Sequence, residues 1–446
     1  MRSVQFSGSF PSDRRRRTLD AHGADTPRGR MSQPAATPAL RTGEFVPLIA
    51  LLISLVALAI DAMLPALPAI GEDLGVVHRN DVQFVITAVF LGMSVGQIVF
   101  GPLSDRIGRK PAIHAGLVLF MAGCLMSIFA RSFEVMIAGR VLQGIGVSAP
   151  RVVVMALVRD QYAGRQMARL MSFTMGVFII VPTIAPALGQ WIQFLSGWRA
   201  IFAVFFAVAA IGFLWFAIRQ PETLPSERRR PLSPRAIGKT AVEVVKIRIA
   251  LGYTLASGCV FAPFLAYLSI SQQVFQDVYG TGALFPFYFG VLALAVGVAT
   301  FVNGRLVMQY GMRKLSRGAM SLATIASVVG LGLTFAFDGV LPFWLFMGYL
   351  LFVFVCVGLL FGNLGALAMQ PLGHIAGVGA AVVASLSTLV SVPLGALVAY
   401  IFDGTLYALI AAYVVFGVGA LAAMKWADEG WMPKRRGAPL KASADL

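Results

Sequence analysis

Charge is what this chain has least of. Only 13% of its 446 residues are Asp, Glu, Lys or Arg, about half the roughly 25% usual in soluble globular domains. A water-facing surface cannot be built from so few charges, which excludes an ordinary soluble fold of this length. Cysteine is nearly absent. Cys124, Cys259 and Cys356 stand far apart in apolar stretches with no CxxC pair, so neither a disulfide framework nor a zinc site is expected. The four histidines are equally scattered, and no Ser/His/Asp, Cys/His or metal-ligand cluster appears. No metal, no cofactor and no enzymatic activity are expected. The net charge of +16 comes without a basic groove of interleaved aromatics, so nucleic acid is not an expected partner.

What is present is apolar. Apolar residues make up 58% of the chain, with a mean hydropathy of +0.80, and the class is a polytopic membrane protein. From Phe45 onward, runs long enough to cross about 30 Å of hydrocarbon recur. They lie at 45–69, 82–103, 111–130, 135–158, 170–192, 199–218, 249–272, 284–303, 318–337, 340–363, 376–402 and 404–424. Lone helices satisfy their own backbone hydrogen bonds in lipid, so the expectation is an all-α fold of twelve transmembrane helices.

Charge in the connections alternates. Loop 71–81 is net negative and 104–110 net positive, while 159–169 and 304–317 are again basic. The middle segment 219–248 carries eight basic residues against three acidic. By the bias of Lys and Arg toward the cytoplasm, both termini are expected inside. Arg199 is the single exception. The expected organisation is a disordered cytoplasmic tail at 1–44, a six-helix bundle at 45–218, a cytoplasmic central loop at 219–248, a second six-helix bundle at 249–424 and a cytoplasmic tail at 425–446. The first tail contains Arg14–Arg17, with no apolar core and cleavage site after it, so it does not read as a signal peptide. Met31 offers an alternative start within that tail.

The halves repeat. GPLSDRIGRK (Gly101–Lys110) follows the second span and GRLVMQYGMRK (Gly304–Lys314) follows the eighth, each with glycines seven apart and a basic cluster after them. Repeated halves with a site between them are typical of secondary transporters.

These motifs resemble the major facilitator superfamily. Gly101–Lys110 is similar to its signature loop between helices two and three, and Arg140-Val-Leu-Gln143-Gly144-Ile-Gly146 to its helix-four motif. Within the superfamily the chain resembles the drug:proton antiporters of the bicyclomycin-resistance branch. That closer likeness rests on Asp61-Ala-Met-Leu-Pro65-Ala-Leu-Pro68, Val158-Arg159-Asp160, Gly197-Trp198-Arg199, Pro221-Glu222-Thr223-Leu224 and Asn303-Gly-Arg305. The likeness covers roughly residues 45–425. It implies proton-coupled transport of small molecules by a protein of a bacterial inner membrane, and a monomer is expected. The helix-five antiporter motif, G-P-x-x-G-G in relatives, reads Ala185-Pro186-Ala187-Leu188-Gly189-Gln190 here. The kink at Pro186 and the close packing at Gly189 should survive the change.

In the signature loop, Gly101 and Gly108 permit a tight turn and close helix approach. Asp105 can accept hydrogen bonds from Arg106, Arg109 or a helix N-terminus, so this loop is expected to gate by latching the two halves together. Only Asp61, Arg140 and Arg151 are formal charges deep inside a span, where an ionisable group needs a partner or a water-filled cavity. Asp61 lies about 24 Å into the first span and Arg140 about 9 Å below the outer boundary of the fourth, which puts both at similar depth. Arg140 and Arg151, eleven residues apart, share a helix face. Asp61 and Arg140 are expected to pair and couple proton binding to transport, with Asp61 as the carrier because an arginine does not release its proton. Arg151 is either a second cavity charge or a side chain reaching for the cytoplasmic interface near Arg159. Gln143, Phe261, Phe264, Gln272 and Asn363 complete the expected substrate cavity, whose apolar walls suit amphipathic ligands.

The expected activity is drug:proton antiport, the export of small amphipathic molecules. The alternative is a proton-coupled importer or metabolite facilitator of the same fold.

Overall fold

The computed structural model describes residue 40 and residues 42–162, 164–229 and 234–429. Most of the expected terminal tails, including Arg14–Arg17 and Met31, lies outside the described residues. Within them the fold is helical, and twelve spans are long and apolar enough to cross a membrane.

Fourteen α-helices run through the described residues. In the first half they are α1 (Thr42–Asp61), α2 (Leu67–Asp73), α3 (Phe84–Ile107), α4 (Arg109–Ile128), α5 (Phe133–Gln161), α6 (Gly164–Ser196) and α7 (Trp198–Arg219). A short helix, α8 (Pro234–Lys246), occupies the central segment. The second half comprises α9 (Arg248–Gln272), α10 (Phe285–Tyr310), α11 (Met312–Ala336), α12 (Phe343–Met369), α13 (Ala376–Tyr400) and α14 (Tyr407–Glu429). Two features differ from the simple succession of runs. The first span is broken into α1 and α2, and the central loop, expected without structure of its own, contains a helix.

Lipid tails are as apolar as leucine, so these helices associate through close packing at small residues rather than through a hydrophobic driving force. The pairing of α3 with α5 illustrates this. A Cβ added at Gly144 would lie 2.1 Å from the carbonyl oxygen of Val89, and one at Gly92 would lie 2.1 Å from that of Val141. The two backbones touch with nothing between them. The glycines of the helix-four motif are therefore packing seams: Gly144 sets α5, which carries Arg140, against α3, and Gly146 sets it against α4, where a Cβ would lie 2.4 Å from the Phe120 nitrogen. Across the two halves, α3 packs on α13 and α6 on α10.

The repeat is visible in three dimensions. Gly108 and Gly311 both have positive φ, 107° and 76°, and each turns the chain from one span into the next. After Gly108, Arg109 meets Asp160 at the end of α5; after Gly311, Arg313 meets Gln370 just past α12. The equivalent of Glu222, which closes the first half, is Asp428 in the second.

Replacing Gly144 with Val should overpack the α3–α5 seam and lower stability by about 1–3 kcal/mol. The check is the thermal midpoint of the purified protein in detergent, which should fall relative to the wild type.

Candidate functional site

The site begins where the first span stops being a helix. Pro65 and Pro68 cannot donate backbone hydrogen bonds, and each disfavours helical geometry in the residue before it. The chain accordingly leaves α1 after Asp61, makes a 3₁₀ turn at Leu64–Ala66 and restarts as α2. A helix that ends leaves the carbonyls of its last turn without N–H partners. Ala59 is one of these, and its oxygen accepts from Nη2 of Arg140 at 2.5 Å.

Arg140 is fully buried, and its other donors are also engaged. Its Nε donates to the carbonyl of Val85 at 3.1 Å and its Nη1 to Oε1 of Gln143. Phe202 of α7 presents its ring to the guanidinium at 5.6 Å. Gln143 is in turn anchored to the carbonyl of Gly123 and the hydroxyl of Ser127. The expected ion pair between Asp61 and Arg140 is absent among the described residues. The guanidinium closes the open end of α1 instead, with each of its three nitrogens donating to a neutral oxygen. Gln143, expected in the cavity, serves as the second anchor of this cap.

Asp61 itself is buried, with 5% of its surface exposed, so it does not face acyl chains. Among the described residues it has no hydrogen bond and no ion pair. Its electrostatic neighbour is Tyr267 of α9, in the opposite half. The Tyr267 hydroxyl is likewise buried without a hydrogen-bond partner. An aromatic wall surrounds it. Tyr267 stands edge-on to Phe354 at 4.8 Å and stacks on Phe289; Phe264 contacts Phe354 and Phe361; Phe261 contacts Phe361 and, across the seam, Phe90 of α3. Phe261 thus lies where the two halves meet, and Phe264 lies between it and Tyr267. Tyr267 was not anticipated from the sequence. The signal was its position one turn beyond Phe264 on the same face.

Gly189 holds this region from the other side. A Cβ there would fall 1.5 Å from the carbonyl oxygen of Ala62, so α6 touches the broken backbone immediately after Asp61. The antiporter-motif glycine is what lets the break fit. Pro186 sits one turn earlier in α6. Gln190, the departure from the motif, donates to the carbonyl of Ala283 in the other half at 3.3 Å.

The remaining expected cavity residues divide. Asn363 exchanges hydrogen bonds with Asn303 at 3.0 and 2.9 Å and also donates to the carbonyl of Leu359. It clamps α10 to α12 rather than facing a cavity. Gln272 bonds Gln276 and lines a cavity of about 180 Å³ near the end of the bundle where α2 and the start of α3 meet α9. Arg151 shares the face of Arg140, and its side chain is exposed.

The two halves are bonded to each other at one end of the bundle. Arg79 pairs with Asp277, Asn80 donates to the carbonyls of Tyr400 and Phe402, and Gln83 donates to Gln273 at 2.8 Å. All three join the halves at the end opposite the start of α1. Thr405 hydrogen-bonds Asp403 in the loop that presents these carbonyls, which holds that carboxyl below its ordinary range.

The signature loop lies at the other end and does not bridge the halves. Arg109 binds Asp105 at 2.5 Å, Ser104 at 2.8 Å and Asp160 at 2.9 Å. The Glu222 carboxylate accepts from the backbone N–H of Arg109 and Lys110 at 2.9 and 3.0 Å. A Cβ at Gly108 would lie 2.3 Å from a Glu222 oxygen. The loop therefore knits α3, α4, α5 and the exit of α7 into one block, with Arg106 exposed. The expected latch to the second half is not formed, because Arg109 takes the Asp105 carboxylate within the loop. Gly101 approaches the other half; a Cβ there would stand 3.3 Å from Ala381. The partners Asp160 and Glu222 had been noticed only as motif letters.

Twelve apolar spans in two repeated halves, with buried polar groups at the seam, make a secondary membrane transporter. The Major Facilitator Superfamily profile matches residues 49–396, and the chain belongs to that family. Its relatives include an MFS-type transporter of Bacillus subtilis described as uncharacterized, YdgK, 32% identical over 77% of this chain and 85% of the relative. A bicyclomycin resistance protein homolog of Haemophilus influenzae is 29% identical over 84% and 92% of the two chains. A chloramphenicol resistance protein of Pseudomonas aeruginosa is 29% identical over 65% and 70%. These are relatives of the kind that the bicyclomycin-resistance motifs implied. In fold, the chain is similar to the xylose transporter XylE of E. coli in a partially occluded inward-open conformation, with TM-score 0.67 and 14% identity over 89% and 99% of the chains.

Arg140→Lys should lose the fork that reaches three acceptors, since an ammonium is a compact point charge. Leaving buried carbonyl or amide groups unpaired costs about 1–3 kcal/mol. The expected result is a lower thermal midpoint as well as reduced transport, read by melting in detergent beside a transport assay.

Proposed function

We propose that this transporter exports small amphipathic molecules in exchange for protons, by alternating access, with Asp61 as the proton carrier. The observation that supports this reading is the Asp61 carboxyl, which is buried at a helix break and has no hydrogen bond or ion pair among the described residues. An ionised carboxylate without a partner is costly in a dry interior. Water reaching it from one side or the other changes that cost, so proton binding and the direction of opening become linked. Arg140 takes no part in proton exchange; it holds the broken helix so that the carboxyl stays at the seam. The aromatic wall of Phe261, Phe264, Phe361 and Tyr267 is the proposed substrate surface, apolar with few polar contacts. The named resistance relatives support the export of drug-like molecules.

The loop charges support an orientation with both termini in the cytoplasm of a bacterial inner membrane. With that orientation, the bonds of Arg79, Asn80 and Gln83 close the outer side, and the exposed Arg151 lies on the cytoplasmic side of Arg140, where it would meet substrate or water. The whole path lies within one chain, so the transporter is proposed to act as a monomer.

Asp61→Asn should still bind substrate but lose uphill transport. The test uses purified protein in liposomes with an imposed pH gradient and a panel of fluorescent lipophilic dyes. Retained gradient-driven accumulation in the variant rejects Asp61 as carrier. In cells, collapse of the proton gradient should raise dye accumulation for an exporter and lower it for an importer.

A further inference from the structure

The helix in the central segment has two unlike faces. At 100° per residue, Arg235, Gly238, Lys239, Val242, Val245 and Lys246 fall within an arc of about 120°, and all six are exposed. Val242 and Val245 are 52% and 51% exposed. The opposite side carries Thr240 and Val244, both buried, where α8 packs on α9 and α13. Glu243, the only acidic residue of the helix, bonds His374 at 2.7 Å beyond α12. The acid is thus occupied at the side, and the exposed arc is purely basic and apolar. None of the ion pairs among the described residues involves Arg235, Lys239 or Lys246.

The position of this arc matters as much as its composition. One residue in extended conformation, Ile247, separates α8 from α9, the first span of the second half. The helix therefore lies at the boundary between the bundle and water. A helix whose free face carries valines toward one edge and Lys and Arg toward the other matches an interfacial surface, apolar atoms toward acyl chains and cations toward headgroup phosphates. An acidic protein partner or a nucleic acid would match the charges but not the paired valines at the membrane boundary.

We propose that the exposed face of α8 is a docking surface for the anionic phospholipid headgroups of the leaflet at this end of the bundle. The lipid phosphates are held by Arg235, Lys239 and Lys246 while Val242 and Val245 rest against the adjoining acyl region. Because the other face grips α9 and α13, which carry the aromatic wall and the seam with α3, the bound lipid sits on the part of the second half that borders the transport path.

The test uses the full chain, purified and delipidated, and incubated with phosphatidylglycerol or with phosphatidylcholine before native mass spectrometry. Arg235→Gln/Lys239→Gln/Lys246→Gln should reduce retained phosphatidylglycerol by about tenfold or more, given the attraction expected per basic residue near an anionic surface, and leave phosphatidylcholine retention unchanged. Unchanged phosphatidylglycerol retention overturns the proposal. So does displacement of the lipid by inorganic phosphate, which would mark a simple anion site. A second reading avoids the charge variant altogether. Val242→Cys, labelled with a polarity-sensitive dye in a chain whose three native cysteines are replaced, should shift to the blue in phosphatidylglycerol nanodiscs relative to phosphatidylcholine ones. Identical spectra in the two lipids would show that the valines face water, and the docking surface would be wrong.

Discussion

A transmembrane helix that stops partway must find donors for the carbonyls it leaves open, and here one buried arginine supplies the donor. Arg140 joins the last turn of α1 to α3 through Ala59 and Val85 and is itself steadied by Gln143. In hydrocarbon an unsatisfied backbone carbonyl costs several kcal/mol, so the break after Asp61 is tolerable only because this cap exists. The cap in turn requires α5 to stand at a fixed distance from α3, which the glycine seam enforces. The carboxyl at the break is positioned by a chain of backbone constraints rather than by a direct ion pair.

The two ends of the bundle are built on different principles. At one end, side chains of α3 and its preceding turn reach across to the second half, and these bonds must break if that end is to open. At the other, the signature loop and its repeat keep their hydrogen bonds inside their own halves, with Glu222 and Asp428 in equivalent places. Each half thus carries its own network of hydrogen bonds at this end, separate from the contacts at the seam. Gln190 fits the same scheme. The residue that departs from the antiporter motif is one of the bridges between the halves, which gives the departure a structural role.

Much of this was legible in the chain itself. Twelve apolar runs, alternating loop charge and two similar loops sufficed for the number of spans and the division into halves. The motif residues Asp61, Arg140, Gly108 and Gly189 all lie at structurally demanding positions. Their partners were harder to see. Sequence depth arguments put Asp61 and Arg140 at the same level and so paired them, but depth says nothing about azimuth, and the guanidinium found nearer carbonyl oxygens. Asn363 looked like a lone polar group available to substrate, whereas its complement, Asn303, lies sixty residues away on α10. Tyr267 was hidden among other aromatics of an apolar helix.

By itself the sequence determined that this is a twelve-span helical membrane protein made of repeated halves. Hydrocarbon thickness, backbone satisfaction and charge bias act locally along the chain, so they can be read from it. Only the tertiary structure decided which buried polar groups satisfy one another and which are left over. Hydrogen bonds have a short reach and a fixed direction, and which donor meets which acceptor depends on how helices far apart in the chain are rotated against each other. Asp61 and Tyr267 emerge as buried polar groups without hydrogen-bond partners among the described residues only once Arg140, Gln143, Asn303 and Asn363 have found theirs.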